Sequence, residues 1–297
     1  MTEEVIEISA GACHSAVLTK GGDVYSWGTY KDSNGHIGFK IGDDKELVFK
    51  QQLPDLMEEM VGKGVCQLAS GSDFTLALTK DGALYGWGDA ENANIGGPIP
   101  KNKAEKRKRL RPNGPIKVDL GGGGKRKQAG SSKVLTQIAA GGWHVLAMDD
   151  EGNVLGFGLN NFGQCGTGHT DTPVAEPSVI EALTGKGVTQ LAGGMHNSMA
   201  LLEDGTVLTW GRGDYCQLGT GPPPRQDSHS VVPVKCYPMT SDLPGARFID
   251  SGDSHCLLIT KDDALFTWGF GTVRFRFLLC HFGCLFGLLE IVWNCRG

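Results

Sequence analysis

The chain has 297 residues, a formal net charge of −5 and 45 glycines. With 40% hydrophobic residues and no Gly-X-Y period, its composition excludes collagen and a wholly disordered protein. The nine cysteines lack the paired spacing of a zinc site or a disulfide framework, and the opening residues MTEEVIEISA contain no apolar signal core. We therefore expect a turn-rich β protein of a reducing compartment.

One pattern repeats five times along the chain. In each copy an apolar run ends at a Gly-rich bend, and two alternating runs follow, joined in most copies by a Gly-Gly, Asp-Gly or Glu-Gly turn. The copies begin at Val5, Val65, Leu135, Val188 and Arg247. They close on Trp27-Gly28, Trp87-Gly88, Phe157-Gly158, Trp210-Gly211 and Trp268-Gly269. Because one hairpin cannot bury both of its faces, the copies are expected to stack, with the aromatic side chain between neighbours.

The segment after the first copy is longer than its counterparts. It inserts Lys31, Asp32, Ser33, Asn34, Gly35 and His36 before Ile37-Gly38. Asn-Gly favours a type I′ turn, so the insertion predicts a small protruding hairpin that turns at Asn34-Gly35. An ordinary variable loop is the alternative interpretation.

The interval between the second and third copies carries a basic insertion from Lys101 to Lys127. Glu105 and Asp119 are its only acidic residues, and such a run is too charged to pack, so a solvated loop is expected. Its two basic clusters consist of Lys106, Arg107, Lys108, Arg109 and Arg111, and of Lys125, Arg126 and Lys127. A passive linker and a nuclear localisation signal are both compatible with this pattern.

No enzyme signature occurs in the chain. GxSxG, HExxH and Walker A motifs are absent, and the glycine run from Gly121 to Gly124 lacks the Lys-Ser/Thr pair that cradles phosphate. His14, His144 and His255 recur in register with one another, which favours structural hydrogen bonding over general base catalysis. We expect no covalent chemistry, no cofactor and no metal.

The last part of the chain, from Val273 to Gly297, has no repeat character. Its apolar run from Phe277 to Trp293 is interrupted by His281 and Glu290. Val273-Arg274 can be encoded by a splice-donor sequence, so we expect residues 273–297 to derive from a retained intron or a mis-predicted exon. A membrane anchor is the alternative, although a membrane span needs about 20 apolar residues.

The repeat G-x-x-H-(S/T)…L-T-x-D-G-x-(V/L)-(Y/F)-x-W-G resembles that of the regulator of chromosome condensation family, from Val5 to about Thr272. The resemblance implies an all-β fold, a β-propeller over residues 1–272. The family closes seven blades, whereas about five repeats are present here, so an incomplete ring is expected. It also implies guanine-nucleotide exchange on the small GTPase Ran.

The resemblance assigns roles to individual residues. The hairpin from Lys31 to His36 resembles the β-wedge with which the family disturbs the GTPase's nucleotide site. Asp73 and His196 match an acidic residue and a histidine of the family's exchange face. A third acidic position of that face falls at Ala12, which has no carboxylate, a departure that bears on the efficiency of exchange.

The resemblance also implies partners. Arg107, Arg109 and Arg111 correspond loosely to arginines that engage the acidic patch of the nucleosome, with DNA as a further contact. Ran and a nuclear import receptor complete the expected partners, and no membrane is expected. The predicted location is the nucleus, on chromatin, with the cytoplasm as the alternative. Two other functions stay open: a non-catalytic propeller that binds proteins, and a truncated inactive product.

Overall fold

A computed structural model describes residues 3–33, 35–37, 39–41, 46–48, 50–95, 114–120, 134–220, 229–236, 244–270, 275–276 and 290–291. Within these residues the chain is an all-β propeller of five blades, as the repeats predict. Two short 3₁₀ turns, Glu58–Met60 and Glu181–Leu183, accompany the strands.

Among the described residues the first four blades share a plan of four strands, and the fifth has the first three of them. The first blade contains β1 (Val5–Ala10), β2 (His14–Thr19), β3 (Val24–Gly28) and β8 (Gln51–Leu56). Between β3 and β8 lie β4 (Tyr30–Asp32), β5 (Gly35–Ile37), β6 (Phe39–Ile41) and β7 (Glu46–Val48). The second blade contains β9 (Val65–Ser70), β10 (Phe74–Thr79), β11 (Leu84–Gly88) and β12 (Ile116–Lys117).

The third blade contains β13 (Leu135–Ala140), β14 (His144–Asp149), β15 (Val154–Gly158) and β16 (Val174–Val179). The fourth contains β17 (Val188–Gly193), β18 (Asn197–Leu202), β19 (Val207–Arg212) and β20 (His229–Lys235). The fifth has three strands, β21 (Ala246–Ser251), β22 (His255–Thr260) and β23 (Leu265–Gly269). The short strands β24 (Phe275–Arg276) and β25 (Glu290–Ile291) pair with each other.

Each blade is an antiparallel sheet whose strands lie side by side in chain order. The first strands of successive blades contact one another, β1 with β9, β9 with β13, β13 with β17 and β17 with β21. These strands therefore form the inner edge of the ring. The loops between first and second strands and the connections that leave the third strands all emerge at one face of the propeller, which we call the insertion face because it carries the residue 30–37 hairpin.

The core lies between blades, where the repeat aromatics were predicted to pack. Trp87, Phe157, Trp210 and Trp268 are buried, each against apolar side chains of the blade before it. In the first blade the matching face has no such cover among the described residues. Ile8 is 72% exposed, whereas its counterpart Leu68 is 4% exposed.

The glycine that follows each aromatic is required by close packing. Gly88 has φ +98, and a Cβ there would meet the Asp73 carbonyl oxygen at 2.5 Å. The other four copies show the same contact with their own loop carbonyl, at distances of 2.3 to 2.6 Å. A backbone this close to a neighbouring loop in a left-handed conformation admits no side chain.

A side-chain amide joins neighbouring blades at their inner strands. Gln67 donates from Nε2 to the Ile138 carbonyl oxygen and accepts from the Ile138 N–H at Oε1, both at 2.9 Å. Gln190 repeats this arrangement on Ile249 of β21, and Gln137 makes the equivalent pair toward β17 with the Thr189 carbonyl oxygen and the Leu191 N–H. We call this pair of hydrogen bonds the amide clamp. In the first blade Glu7 takes the position and only accepts, from the Leu68 N–H at 3.0 Å.

Two repeat histidines have the structural role that the sequence predicts. His144 Nε2 lies 2.8 Å from Ser198 Oγ in the next blade, and Ser198 Oγ in turn donates to the Gln164 carbonyl oxygen. Because the hydroxyl hydrogen is used on Gln164, the His144 Nε2 must be the donor. Burial lowers the pKa of His144 to about 3. His14 bonds Thr75 in the same way, whereas His255 is exposed.

The basic insertion is divided by structure. Strand β12 lies inside it, so Lys106–Arg111 fall in the connection from β11 to β12 and Lys125–Lys127 in the connection from β12 to β13. The two clusters themselves lie outside the described residues, but they belong to connections that leave opposite ends of the blade. The predicted loop over 101–127 therefore contains the short strand β12, and the solvated character of its basic clusters stays a prediction.

Most of the described cysteines are free thiols. Cys13, Cys66, Cys165, Cys236 and Cys256 are free thiols, whereas Cys216 is disulfide-bonded, a bond that the spacing of the cysteines did not indicate. The tail's apolar run lies largely outside the described residues. In the part of the chain that the structure describes, no helix is long and apolar enough to cross a membrane.

The amide clamp leads to a first prediction. Glu7 is half-buried, and burial raises the pKa of its carboxyl. Glu7→Gln should increase the free energy of unfolding at neutral pH by about 1 kcal/mol, because an amide adds a donor for the Leu68 carbonyl and removes a buried charge. The reverse change, Gln190→Glu, should lower it by about 1–3 kcal/mol. Urea unfolding measures both, and equal stability of the three proteins would contradict the clamp.

Candidate functional site

The insertion forms the hairpin that the sequence predicts. Strands β4 and β5 pair as a separate two-stranded sheet, with Tyr30 opposite Ile37 and Asp32 opposite Gly35. The connection is therefore Ser33-Asn34, one residue earlier than the expected turn at Asn34-Gly35. Gly35 instead begins the return strand at φ +116, and a Cβ on it would meet nothing within 4 Å, so this end of the hairpin projects into open space.

Tyr30 anchors the hairpin at the interface of the first two blades. The side chain is 2% exposed, and its ring lies 4.1 Å from that of His14. Its hydroxyl accepts from Trp87 Nε1 at 2.8 Å and lies 3.0 Å from Thr75 Oγ1. In the later blades the indole of the repeat tryptophan donates to a backbone carbonyl instead, Trp210 to that of Gln164. The tyrosine hydroxyl thus replaces that carbonyl where the hairpin is inserted.

Two carboxylates of the second blade hold the hairpin backbone. Asp73 Oδ1 accepts from the Lys31 N–H at 3.1 Å. Glu91 accepts from the Ser33 N–H at 3.1 Å and from Ser33 Oγ at 2.6 Å. Lys31 Nζ lies 3.4 Å from Cys13 Sγ on the other side. The structure therefore brings Asp73 and the hairpin together, as the same site.

A buried carboxyl lies beneath these groups. Asp89 is 3% exposed and accepts from the Glu91 N–H at 2.8 Å. Burial, and then the nearby charges of Glu91, Asp32 and Asp73, raise the pKa of Asp89 to about 7. Burial also raises the pKa of Asp73. The base of the hairpin is consequently a dense acidic environment in which one carboxyl titrates near neutral pH.

The loops of the insertion face are joined from blade to blade by backbone hydrogen bonds. Ala12 donates to the Ser72 carbonyl at 2.9 Å, and Ser72 donates to that of Gly142 at 2.9 Å. Gly142 in turn donates to the Gly194 carbonyl at 3.1 Å. Side chains that these loops carry are therefore mounted on a connected frame. Ala12 itself is exposed and offers only its methyl group to the face.

His196 lies on the same face, two blades from Asp73. Its ring is half-buried between Trp143, with centroids 5.4 Å apart, and Phe162, at 5.3 Å. Burial, and then the Arg212 charge, lower the pKa of His196, so the ring is neutral at physiological pH. Arg212 is held by a bidentate pair with Asp214 and lies over the Phe162 ring. The arrangement offers an aromatic surface with one cation, rather than an acid or base aligned with a nucleophile.

The sequence did not indicate several residues of this site. The repeat pattern does not single out Tyr30, Asp89 or Glu91, since each follows an aromatic-glycine pair at a position where the other repeats carry different residues. The same holds for Arg212. Of the predicted residues, Asn34 and all eight basic residues of the insertion lie outside the described part, and of His36 only the backbone is described. Among the described residues no cluster of three or more His, Cys, Asp or Glu could hold a metal ion.

The chain is similar in sequence to a known domain family and to several of its members. The RCC1-like domain family matches residues 1–274. Regulator of chromosome condensation from Xenopus laevis is 30% identical over 277 residues, which cover 92% of this chain and 60% of that protein. Guanine nucleotide exchange factor SRM1 from Saccharomyces cerevisiae is 26% identical over 278 residues, 90% of this chain and 53% of that protein.

Solved structures agree with the fold. A structure of Prp20p from Saccharomyces cerevisiae, described with its binding properties to Gsp1p and histones, matches with a TM-score of 0.73 and 24% identity over 90% of this chain and 58% of that one. A structure of Kap60 bound to the same yeast protein matches with a TM-score of 0.74 and 23% identity, over 91% of this chain and 57% of that one. This chain belongs to the RCC1-like domain family, and it spans less than two thirds of the length of these relatives.

The anchor of the hairpin leads to a second prediction. Tyr30→Phe should lower the free energy of unfolding by about 1–3 kcal/mol, because the buried Trp87 N–H loses its acceptor. Tyr85→Phe, on the third strand of the next blade, is the matched control and should change stability by less than about 0.5 kcal/mol. Chemical denaturation of both variants measures the difference. Equal effects would show that the hydroxyl network does not anchor the hairpin.

Asp89 leads to a third prediction, for pH dependence. Its pKa is about 7 in the folded chain against an ordinary value of 3.8, so the folded state binds the additional proton. The contribution of Asp89 to stability is therefore largest below about pH 4 and is lost as the pH rises to about 7. Asp89→Asn should remove this loss, so that the variant gains stability over the parent across that window. The test is the difference in melting temperature between Asp89→Asn and the parent chain, measured from pH 4 to pH 8. The exposed Asp150→Asn serves as the control. A difference that stays constant with pH would contradict the raised pKa of Asp89.

Proposed function

We propose that this chain acts as a guanine-nucleotide exchange factor on the small GTPase Ran, with the β4–β5 hairpin as the wedge that loosens the nucleotide. The observation that carries the proposal is the hairpin itself, a separate sheet that projects from the insertion face and is anchored to two blades. Membership of the RCC1-like domain family, with a relative named as an exchange factor, supports the same function.

The mechanism is one of competing affinities and involves no covalent step. A protein that binds the nucleotide-free GTPase better than the loaded form weakens nucleotide binding by the same factor. Loosening a nucleotide by about 10⁵-fold requires a coupling free energy of about 7 kcal/mol. A hairpin can supply it only if its position is stable when it meets the phosphate-binding loops, since a mobile segment would yield instead of displacing them. The contacts of Tyr30, Asp73 and Glu91 meet that requirement.

His196 and its aromatic neighbours provide the second contact region of the proposed interface. On the insertion face Trp143 and Phe162 flank His196, and Arg212 lies over the rings of Phe162 and Tyr215. Tryptophan, tyrosine and arginine are the residues that most often dominate binding energy in protein interfaces. In this arrangement Asp73 acts through the hairpin, and His196, as a neutral ring, contributes a hydrogen-bonding edge to the bound GTPase.

We further assign the basic insertion to nuclear location and chromatin. Lys106–Arg111 and Lys125–Lys127 would bind a nuclear import receptor, or the acidic patch and DNA of the nucleosome through Arg107, Arg109 and Arg111. The yeast relative's recorded binding to histones and to Kap60 supports these partner classes. Since such contacts are electrostatic, their affinity should fall steeply with salt.

A propeller that binds a partner without exchange is the second candidate function. The aromatic cluster around Arg212 favours it, because this surface can bind a protein whether or not the hairpin acts on a nucleotide. The two functions differ in what they require of the hairpin.

Removal of the hairpin leads to a fourth prediction. The chain should accelerate release of fluorescently labelled GDP from Ran, and a variant without residues Asp32 to His36 should leave only the unassisted rate. Glu176→Ala, on the outer strand of the third blade, should behave as the parent chain. Residual acceleration by the deletion variant would exclude the wedge, and no acceleration by the parent would exclude exchange. Binding of nucleotide-free Ran without acceleration would favour the second candidate.

A further inference from the structure

The hairpin cannot hold its own position. It consists of three residue pairs in a two-stranded sheet separate from the blades. An isolated pair of strands is at best marginally stable in water. Tyr30 attaches the hairpin at its base, but the direction in which the far end points depends on contacts made further out.

Those contacts come from two carboxylates of the second blade. Asp32 pairs with Gly35 across a two-residue connection, and Lys31 lies in the next pair, where the alternation of antiparallel strands turns the N–H outward from the sheet. Asp73 accepts that edge N–H at 3.1 Å. Glu91 accepts from both the N–H and the hydroxyl of Ser33, at 3.1 and 2.6 Å, at the far end of β4. Each carboxylate therefore accepts from a backbone N–H of the hairpin, and Glu91 also accepts from the Ser33 side chain.

Glu91 is itself held rigidly. Its N–H donates to Asp89 Oδ1 at 2.8 Å, and the Asn94 side chain donates to the Asp89 carbonyl at 2.8 Å. Asp89 and Asn94 are both buried in the second blade. The carboxylate that holds Ser33 therefore extends from a fixed support, and the hairpin is connected to the second blade at its base and near its tip.

We propose that Glu91 is a positioning residue for nucleotide exchange, which fixes the angle of the hairpin through its paired hydrogen bonds to Ser33. The inference rests on the exchange function proposed above. This role of Glu91 differs from stabilising the fold, because the hairpin lies outside the blade sheets and release of the hairpin leaves the core intact.

The test measures hairpin mobility and exchange separately in the full chain. In Glu91→Ala the heteronuclear NOE of the Lys31 and Ser33 amides should fall, while the melting temperature stays that of the parent. The maximal rate of GDP release from Ran should drop about tenfold, the effect of about 1.4 kcal/mol. The concentration of Ran–GDP that gives half-maximal rate should change less than about twofold, since the contact is needed in the transition state and not for docking.

Matched variants separate the hydrogen bonds from the charge. Glu91→Gln retains an oxygen that accepts from the Ser33 N–H, so it should restore the rate to within about threefold of the parent. In the Glu91→Ala background, Ser33→Ala should not lower the maximal rate of GDP release further, because both changes remove the same contact. Glu176→Ala, a surface carboxylate removed elsewhere, should alter neither the NOE nor the rate.

Two results would overturn the proposal. An unchanged NOE in Glu91→Ala would show that the carboxylate does not hold the hairpin, and an unchanged maximal rate with a lowered NOE would show that its position does not matter for exchange. If the parent chain fails to accelerate GDP release, the proposed exchange function is excluded, and the role of Glu91 in exchange is excluded with it. The NOE then still decides whether Glu91 holds the hairpin.

Discussion

The amide clamp between inner strands is the interaction on which the rest of the propeller depends. The first strand of each blade is the inner edge of its sheet, and an edge strand leaves backbone N–H and C=O groups without a strand partner. A glutamine amide carries a donor and an acceptor side by side, so Gln67, Gln137 and Gln190 each satisfy one backbone carbonyl and one backbone N–H of the next blade. The clamp joins the inner strands of neighbouring blades at the same interfaces in which the repeat aromatics pack against the blade before them.

The hairpin uses the same interface for a different purpose. In an ordinary blade the connection after the third strand offers a backbone carbonyl to the next blade's tryptophan, as Gln164 does for Trp210 and Gln217 for Trp268. In the first blade Tyr30 supplies a hydroxyl to Trp87 instead. The connection is thereby freed to leave the blade as a hairpin without an unsatisfied indole N–H in the core. An insertion at this position keeps the stability of the interface and gains a rigid base.

Charge is distributed in keeping with the proposed activity. The base of the hairpin holds Asp32, Asp73, Asp89 and Glu91 within interaction range. Burial, and then the charges of the other three carboxylates, raise the pKa of Asp89 to about 7. Three of these carboxylates, those of Asp73, Asp89 and Glu91, accept from backbone N–H groups, so their charge serves local structure before it serves any partner. The neutral ring of His196 lies on a different part of the same face, with Arg212 as its nearest cation. The face therefore combines an acidic region that holds the hairpin with an aromatic region suited to binding.

The sequence by itself determined the blades. Repeated turn pairs, alternating strands and aromatic-glycine endings predicted five hairpin units and the face on which the aromatics pack, because these features depend on local geometry and burial. Tertiary structure decided how the residues of the site meet. Asp32 pairs with Gly35, so the turn lies one residue earlier than the Asn34-Gly35 sequence indicates, and β12 divides the basic insertion between two connections. Glu91 and Asp73 meet the hairpin across 58 and 42 residues of sequence, a contact that exists only once the blades are stacked.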